Sequence, residues 1–274
     1  MNESRIAILM ATYNGAVYLR AQLDSLMSQT RRDWTLYVQD DFSTDSTLDI
    51  IREYQQRYDN IRLLEHTSQL GPMKNFMSML EQVEADYYFF CDQDDVWVAD
   101  KVERSMQEME ACEAQNPGKP TVIFTDLRVV DSSLREISSS FWEYMKIYPE
   151  KLTTFARLGA RRLATGCTMC FNRQAKNVSF PVSANAYMHD AWIVLSVAKH
   201  AGVIKGIPVP MVLYRQHESN VLGAVGSGLM KKFADLKNVG KENMKVYRML
   251  KDLEYGSFLK YLCYKMITLV EAYL

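Results

Sequence analysis

The 274 residues contain no uncharged apolar stretch of the roughly 18 residues that a membrane-spanning helix requires. The first apolar run, Ile6–Met10, is too short for a secretory leader, so the chain is expected in the cytoplasm unless something anchors it to a surface. No Gly-x-Gly-x-x-Gly follows the first strand, and no Gly-x-x-x-x-Gly-Lys-Ser/Thr occurs anywhere. Nicotinamide dehydrogenases and P-loop ATPases use one of these loops to bring backbone amides onto phosphate. Both classes are set aside, and any phosphate here must be held by a metal and by side chains. The cysteines number five, with one Cys-x-x-Cys at Cys167 and Cys170. A zinc ribbon needs a second pair, so Cys167–Phe171 reads as a strand whose thiols act as small hydrophobes. A net charge of −1 gives no global attraction to nucleic acid, and no nucleic-acid partner is expected.

What the chain does have is an abrupt junction. The apolar, aromatic run Tyr87-Tyr88-Phe89-Phe90-Cys91 ends in Asp92-Gln93-Asp94-Asp95, three carboxylates within four positions. An unbroken apolar run of this length reads as a strand buried on both faces, as in the middle of a parallel sheet. Clustered carboxylates repel one another, and a hard divalent cation with oxygen ligands removes that repulsion. The junction therefore points to a Mg²⁺ or Mn²⁺ site for a phosphate-bearing substrate. A solvated acidic turn before a helix is the plainer alternative.

The flanking pattern decides between them. Arg5–Ala11 reads as a first strand ending in Thr12-Tyr13-Asn14-Gly15, and Val17–Gln29 as a helix. Trp34–Gln39 is a second strand ending in Asp40-Asp41, with Asp45 placed to cap the next helix. Ile61–Leu64 is a third strand and Met73–Val83 a third helix. Asp100 with Glu103 resembles a capping box that opens a helix to about Ala114. Such β-α alternation predicts an α/β fold with a parallel sheet, helices on both faces and right-handed crossovers. The strand ends Thr12-Tyr13-Asn14, Asp40-Asp41 and Asp92-Gln93-Asp94 should then meet at one crevice.

Beyond residue 116 the pattern loosens. Strands are predicted at Val122–Thr125, Thr168–Phe171, Val203–Ile207 and Val209–Tyr214, with a helix at Ala191–Ala201 and a loop at Ser132–Ser140. The aromatic stretch Phe141–Tyr148 could stack on a sugar or fill a core. From Leu229 onward nine Lys and Arg residues face five acids, with apolar residues at helical spacing. A basic amphipathic tail of this kind docks on a membrane surface or a partner, or packs on its own domain.

Thr12-Tyr13-Asn14, Asp40-Asp41-Phe42-Ser43-Thr44-Asp45 and Asp92-Gln93-Asp94-Asp95 resemble the three signatures of inverting family-2 glycosyltransferases of the GT-A fold. The resemblance runs from Arg5 to about Gly223. The run Cys91–Trp97 and the later Tyr214-Arg215-Gln216-His217-Glu218-Ser219-Asn220 are similar to bacterial rhamnosyltransferases of that family. It implies a mixed central sheet flanked by helices over residues 1–225, divided into a nucleotide-sugar half (1–115) and an acceptor half (116–225). Residues 226–274 would form a basic helical tail. Thr12, Tyr13, Asn14, Asp41, Lys74 and Asp92 would bind the nucleotide, with Asp41 accepting the N3–H of a uracil or thymine ring. Asp94, Asp92 and His217 would hold Mg²⁺ or Mn²⁺. Asp190 would be the catalytic base, and Trp97, Gly166 and His189 would face the acceptor. His189 stands where the family usually has Glu. The implied donor is dTDP-rhamnose or a UDP-sugar. The acceptor would be a saccharide or lipid-linked hydroxyl at the inner face of the cell membrane, in cell-surface polysaccharide synthesis. A nucleotidyltransferase and a non-catalytic nucleotide-sugar binder are the rival readings. The first is disfavoured because residues 12–16 carry no Lys or Arg.

Overall fold

The computed structural model describes residues 5–217 and 236–273. Its frame is a nine-stranded mixed sheet. Strand β1 (Ile6–Thr12) lies between β2 (Trp34–Asp40) and β4 (Tyr87–Asp92), and β3 (Ile61–Leu64) flanks β2, all parallel. Helices α1 (Ala16–Met27), α2 (Thr47–Arg57) and α3 (Pro72–Gln82) make the crossovers. The apolar runs are continuous because both faces of these strands are covered. Ile6, Ile8, Met10, Phe89 and Cys91 pack with Leu19, Leu23 and Ile50 on one face. Ala7, Leu9, Tyr88 and Phe90 pack with Phe76 and Leu80 of α3 on the other. Truncating a buried Phe such as Phe90, fully enclosed here, typically costs about 3–5 kcal/mol.

After β4 come the short β5 (Val96–Trp97) and α4 (Lys101–Gln115). The sheet then continues through β8 (Met169–Asn172), antiparallel to β4, to β6 (Thr121–Val130), antiparallel to β8. Strand β9 (Val203–Arg215) lies parallel to β6 and pairs with β5 at the far edge. Helices α6 (Phe155–Ala160), α7 (Arg173–Val178) and α8 (His189–Lys199) belong to this half, with α5 (Phe141–Met145) beside β6.

The expected first half is present nearly residue for residue, and its strand ends share one edge. Register places Thr12 beside Asp40 and Ala11 beside Asp92. The second half departs in several places. The two strands expected around Pro208 are one strand, which register shifts carry past the missing amide donors. The loop expected over Ser132–Ser140 contains β7 (Glu136–Ser138), paired with β6. Met169 starts β8, and Cys167 sits before it in a 3₁₀ turn, not in the strand. The capping box does not form: Glu103 accepts a hydrogen bond from Thr30, and Asp100 lies 3.5 Å from Arg104. The N-cap of α2 is Ser46, not Asp45 as expected; Asp45, one residue earlier, accepts the first amides of both α2 and α1, Thr47 at 3.0 Å and Ala16 at 3.1 Å.

Helices α9 (Leu236–Asp252) and α10 (Phe258–Glu271) follow. The expected domain boundary at 225/226 and the motif residues Glu218-Ser219-Asn220 lie outside the described residues. Met249, Leu250, Leu253, Tyr255 and Tyr261 join the core built on α3 and α8. Helix α10 lies on α6, where Arg157 pairs with Glu271 and the Tyr255 hydroxyl donates to the Ala156 carbonyl. Among the described residues no helix is long and apolar enough to cross a membrane.

Candidate active site

The crevice is built from the loops that leave β1, β2 and β4. Gln93 ties the first to the third. Its side-chain oxygen accepts the Tyr13 amide and its nitrogen donates to the Tyr13 carbonyl, each at 2.9 Å. A Cβ on Gly15 would lie 2.1 Å from the Gln93 Oε1, so only glycine permits this clamp. Asn14, at φ 45°, ties the first loop to the second: its amide donates to Ser43 and its Oδ1 accepts the Thr44 amide, both at 2.8 Å. Tyr13 itself is half exposed.

Several expected nucleotide contacts turn out to hold the protein together. Thr12 is buried, and its hydroxyl donates to Asp40 at 2.8 Å. Asp41 is also buried, and its two oxygens accept the Leu70 and Gly71 amides at 2.7 and 2.8 Å. The carboxylate thus fixes the loop that leads into α3, while Lys74 stands exposed on that helix's first turn. His66 supports the same corner through the Asp40 carbonyl at 2.7 Å and was not anticipated from sequence.

The three acids after β4 point in different directions. Asp94 faces outward to His217, with Oδ2 and Nε2 2.8 Å apart. The His217 ring packs tilted against Tyr18, centroids 4.7 Å apart, and the Arg215 guanidinium lies over the same Tyr18 ring, 4.6 Å from its centroid. Arg215 also donates to the Asp94 carbonyl at 2.8 Å. Asp95 turns inward and is fully buried; its Oδ1 accepts the Arg215 amide at 3.1 Å. Among the described residues its Oδ2 meets no N–H or O–H donor, and the Cys167 thiol lies beside it. Ligand atoms of Asp92, Asp95 and Cys167 lie within 4.8 Å of one another. Burial first, and then the charge of Asp94, push the Asp92 carboxyl up to about 7. Burial and the same neighbours raise Asp95 as well.

A hard divalent cation fits this group. It needs oxygen donors, and here are carboxylates whose mutual repulsion it would relieve, one with a buried oxygen lacking a donor. The thiol is the poor member of the set: burial raises its pKa well above the ordinary value, so it stays protonated and neutral. Asp95 and Cys167 were not assigned from sequence. The Asp was hidden in the run of acids, and no local spacing links Cys167 to residue 92.

Asp190 opens α8 and is buried at 1% exposure. Its Oδ2 accepts Arg162 at 2.5 Å and the Gly166 amide at 3.1 Å, and its Oδ1 accepts the Ala191 amide at 2.6 Å. Burial raises its pKa, but the Arg162 charge and the hydrogen bonds from Arg162 and Ala191 outweigh it and leave the carboxyl below its ordinary value. The field of Asp190 also reaches Asp92. Arg162 was visible only as one of several basic residues in its segment.

The expected acceptor residues are corrected. Trp97 is 3% exposed in the core on the opposite sheet face, with the buried Lys101 ammonium 4.2 Å from its ring. It cannot reach an acceptor. The His189 ring is 5% exposed and lies 4.3 Å from the Phe76 ring and 4.8 Å from the Phe90 ring, and among the described residues neither nitrogen has a hydrogen-bond partner. Gly166 packs against it, so closely that a Cβ there would lie 2.6 Å from the His189 Nε2. Both residues support Asp190 from below.

The burial of His189 has a measurable consequence. It lowers the imidazole pKa from 6.5 to about 4. Between those values the unfolded chain binds a proton that the folded protein refuses, so stability falls as pH drops through the window. The His189→Leu protein should lose less stability than wild type from pH 6.5 to 4, by up to about 3 kcal/mol. Urea unfolding of both proteins at several pH values checks this, and parallel curves would refute it.

Residues 7–182 match the family model described as glycosyl transferase family 2. The dTDP-rhamnosyl transferase RfbG of Shigella flexneri is 28% identical over 232 residues, 78% of this chain and 74% of that protein. The putative teichuronic acid biosynthesis glycosyltransferase TuaG of Bacillus subtilis is 30% identical over 106 residues, 38% of this chain and 41% of that protein. Among solved structures, S. aureus TarS 1–349 in complex with UDP superposes with a TM-score of 0.59 at 18% identity, over 77% of this chain and 60% of that one. The mannosyltransferase PcManGT of Pyrobaculum calidifontis, in complex with GDP-Man and Mn²⁺, gives 0.61 at 14% identity, over 80% of this chain and 59% of that one. The chain thus spans about 60% of the length of these solved neighbours, which share its GT-A fold. The family model covers more than half of the residues and lies on the strands that build the crevice, so the chain belongs to glycosyl transferase family 2 and is an inverting glycosyltransferase.

Proposed function

We propose that this glycosyltransferase moves rhamnose from dTDP-rhamnose onto a hydroxyl of a saccharide or lipid-linked acceptor during cell-surface polysaccharide assembly. The observation that carries the chemistry is the acid group at the end of β4, where Asp92 and Asp95 lie together and the charges of Asp94 and Asp190 act on Asp92. The likeness to a dTDP-rhamnosyl transferase over most of the chain supports the donor.

Asp92 and Asp95, whose oxygens lie together, would hold Mg²⁺ or Mn²⁺, and Asp94, which faces His217, would join them from the outer side. When bound, such a cation supplies Lewis-acid stabilisation of the charge that develops on the leaving diphosphate. Tyr13 and Asn14 line the mouth of the crevice for the nucleoside, and Asp41 with its loop borders the base. Lys74, exposed on α3, is a second cation for the diphosphate. Asp190 takes the proton of the attacking acceptor hydroxyl. Arg162 and the Gly166 amide keep it ionised and aimed. A single displacement inverts the anomeric centre without a covalent sugar–enzyme species. The protein would work in the cytoplasm, and the apolar outer face of α10, with Leu259, Met266 and Val270 exposed, supports contact with the inner membrane surface.

Calorimetry with dTDP, UDP and GDP, each with and without Mn²⁺, tests the donor. Metal-dependent binding that is strongest for dTDP is the expected result. Preference for UDP keeps the mechanism and moves the donor to a UDP-sugar, a reading that the fold of UDP-bound TarS supports. A folded protein that binds none of the three removes the proposal.

A further inference from the structure

A cavity of about 700 Å³ opens on the acceptor half, against β6 and β9 and beneath α5. Its volume falls within the range of small-ligand sites. Phe124 and Trp142 line it, with ring centroids 5.6 Å apart. Gly206 lies beneath them: a Cβ there would come within 3.0 Å of both rings, so a side chain would fill the space they border. Trp142 is half-buried, and its indole N–H has no partner among the described residues. The rim carries Glu143, Glu150 and Lys205, all exposed and in no ion pair among the described residues.

Position connects this cavity to the crevice. Leu163 lines it, and the preceding residue, Arg162, holds Asp190. Phe124 and Leu163 belong to the same core as Trp192 of α8, so cavity and base lie on one face of the sheet. Strand β6 stands two places from β4, whose end bears Asp92. At the usual strand spacing that is roughly 10 Å. This reach suits a sugar attached to the unit that is being glycosylated, not that unit itself.

The lining selects the chemistry. A pyranose ring has an apolar C–H face and a rim of hydroxyls, which match an aromatic floor and a charged edge. A prenyl chain would leave two carboxylates and an ammonium desolvated without partners. A phosphate-bearing group would meet three carboxylates, Asp126, Glu143 and Glu150, against the one ammonium of Lys205. We propose that this cavity is a distal acceptor subsite that binds an uncharged saccharide unit by stacking on Trp142 and hydrogen bonding to Glu143 and Glu150. The proposal rests on the transferase reading above for the nature of the acceptor.

Its test uses the intact protein and free sugars: L-rhamnose, D-glucose, D-galactose, N-acetylglucosamine and maltotriose. Trp34, Trp97 and Trp192 are buried, so Trp142 alone among the four tryptophans reports on this cavity by fluorescence. A saturable change in emission with at least one sugar is expected, without competition from dTDP and Mn²⁺. Ligand-observed NMR should show that binding is lost in Trp142→Ala and weakened about tenfold in Glu143→Gln/Glu150→Gln, a surface variant that keeps the fold. No saturable response to any sugar, or binding that survives Trp142→Ala, overturns the subsite. If nucleotide still binds in that case, only the subsite fails. Sugar binding at Trp142 with no nucleotide binding keeps the cavity and removes the donor reading.

Discussion

Asp190→Asn is expected to reduce sugar transfer by roughly 10²–10⁴-fold, the ordinary contribution of a positioned general base. The protein should remain folded and bind nucleotide as before. The carboxylate uses both oxygens: Ala191 donates to one, and Arg162 and Gly166 donate to the other. An Asn amide can satisfy only one side and turns its NH₂ toward a donor on the other. The loss in stability is moderate, about 1–3 kcal/mol, because the Arg162 side chain is one-third exposed and can regain water. Since Arg162 and the other partners hold Asp190 below the ordinary carboxylate range, wild type keeps its base ionised throughout neutral pH. The variant should therefore stay inactive at every pH, instead of shifting its optimum. Initial rates from pH 5 to 9, together with nucleotide calorimetry, check this. Turnover near that of wild type would remove Asp190 from the role of base.

The first half of the chain was legible because its physics is local. A strand buried on both faces must be apolar along its length, and the chain must turn polar where it leaves the sheet. Ile6–Met10 into Thr12 and Tyr87–Cys91 into Asp92 both follow that rule. The right-handed crossovers then bring those ends together. Contacts made across long separations carry no such signature. Arg162 meets Asp190 across 28 positions, and Arg215 meets Asp95 across 120. Cys167 looked like a strand residue since a buried thiol and a small hydrophobe share one pattern. Trp97 looked like a ligand contact because it follows the acids directly. The pleat of β5 instead turns it into the core, where Lys101 covers its ring. His189 was misread for a related reason: adjacency to a functional Asp at a helix start does not put two successive side chains in the same space.

Asp94→Asn should separate what the acid cluster does for catalysis from what it does for the fold, since the two effects have opposite signs. For catalysis, the variant removes one carboxylate from the group that would hold the cation, at the position facing His217. Loss of a stabiliser of developing charge costs about 3–4 kcal/mol of barrier, or roughly 10²–10³ in rate. Metal affinity, measured by Mn²⁺ titration, should fall with it. For the fold, the cluster is a burden. Burial together with the charge of Asp94 lifts the Asp92 pKa to about 7, and Asp94 also raises Asp95. Replacing that charge by an amide of the same shape relieves both neighbours. Without metal, Asp94→Asn should therefore unfold at a temperature equal to or higher than wild type. Added Mn²⁺ should raise the wild-type midpoint more than that of the variant, because only an ion that binds the native state preferentially can stabilise it. A metal-free variant that is clearly less stable would mean that Asp94 serves the fold through His217. A variant with normal rates would leave the acids as a solvated turn. The combination of slower transfer, weaker metal binding and undiminished stability is the signature of carboxylates held together against their own repulsion for the sake of a cation.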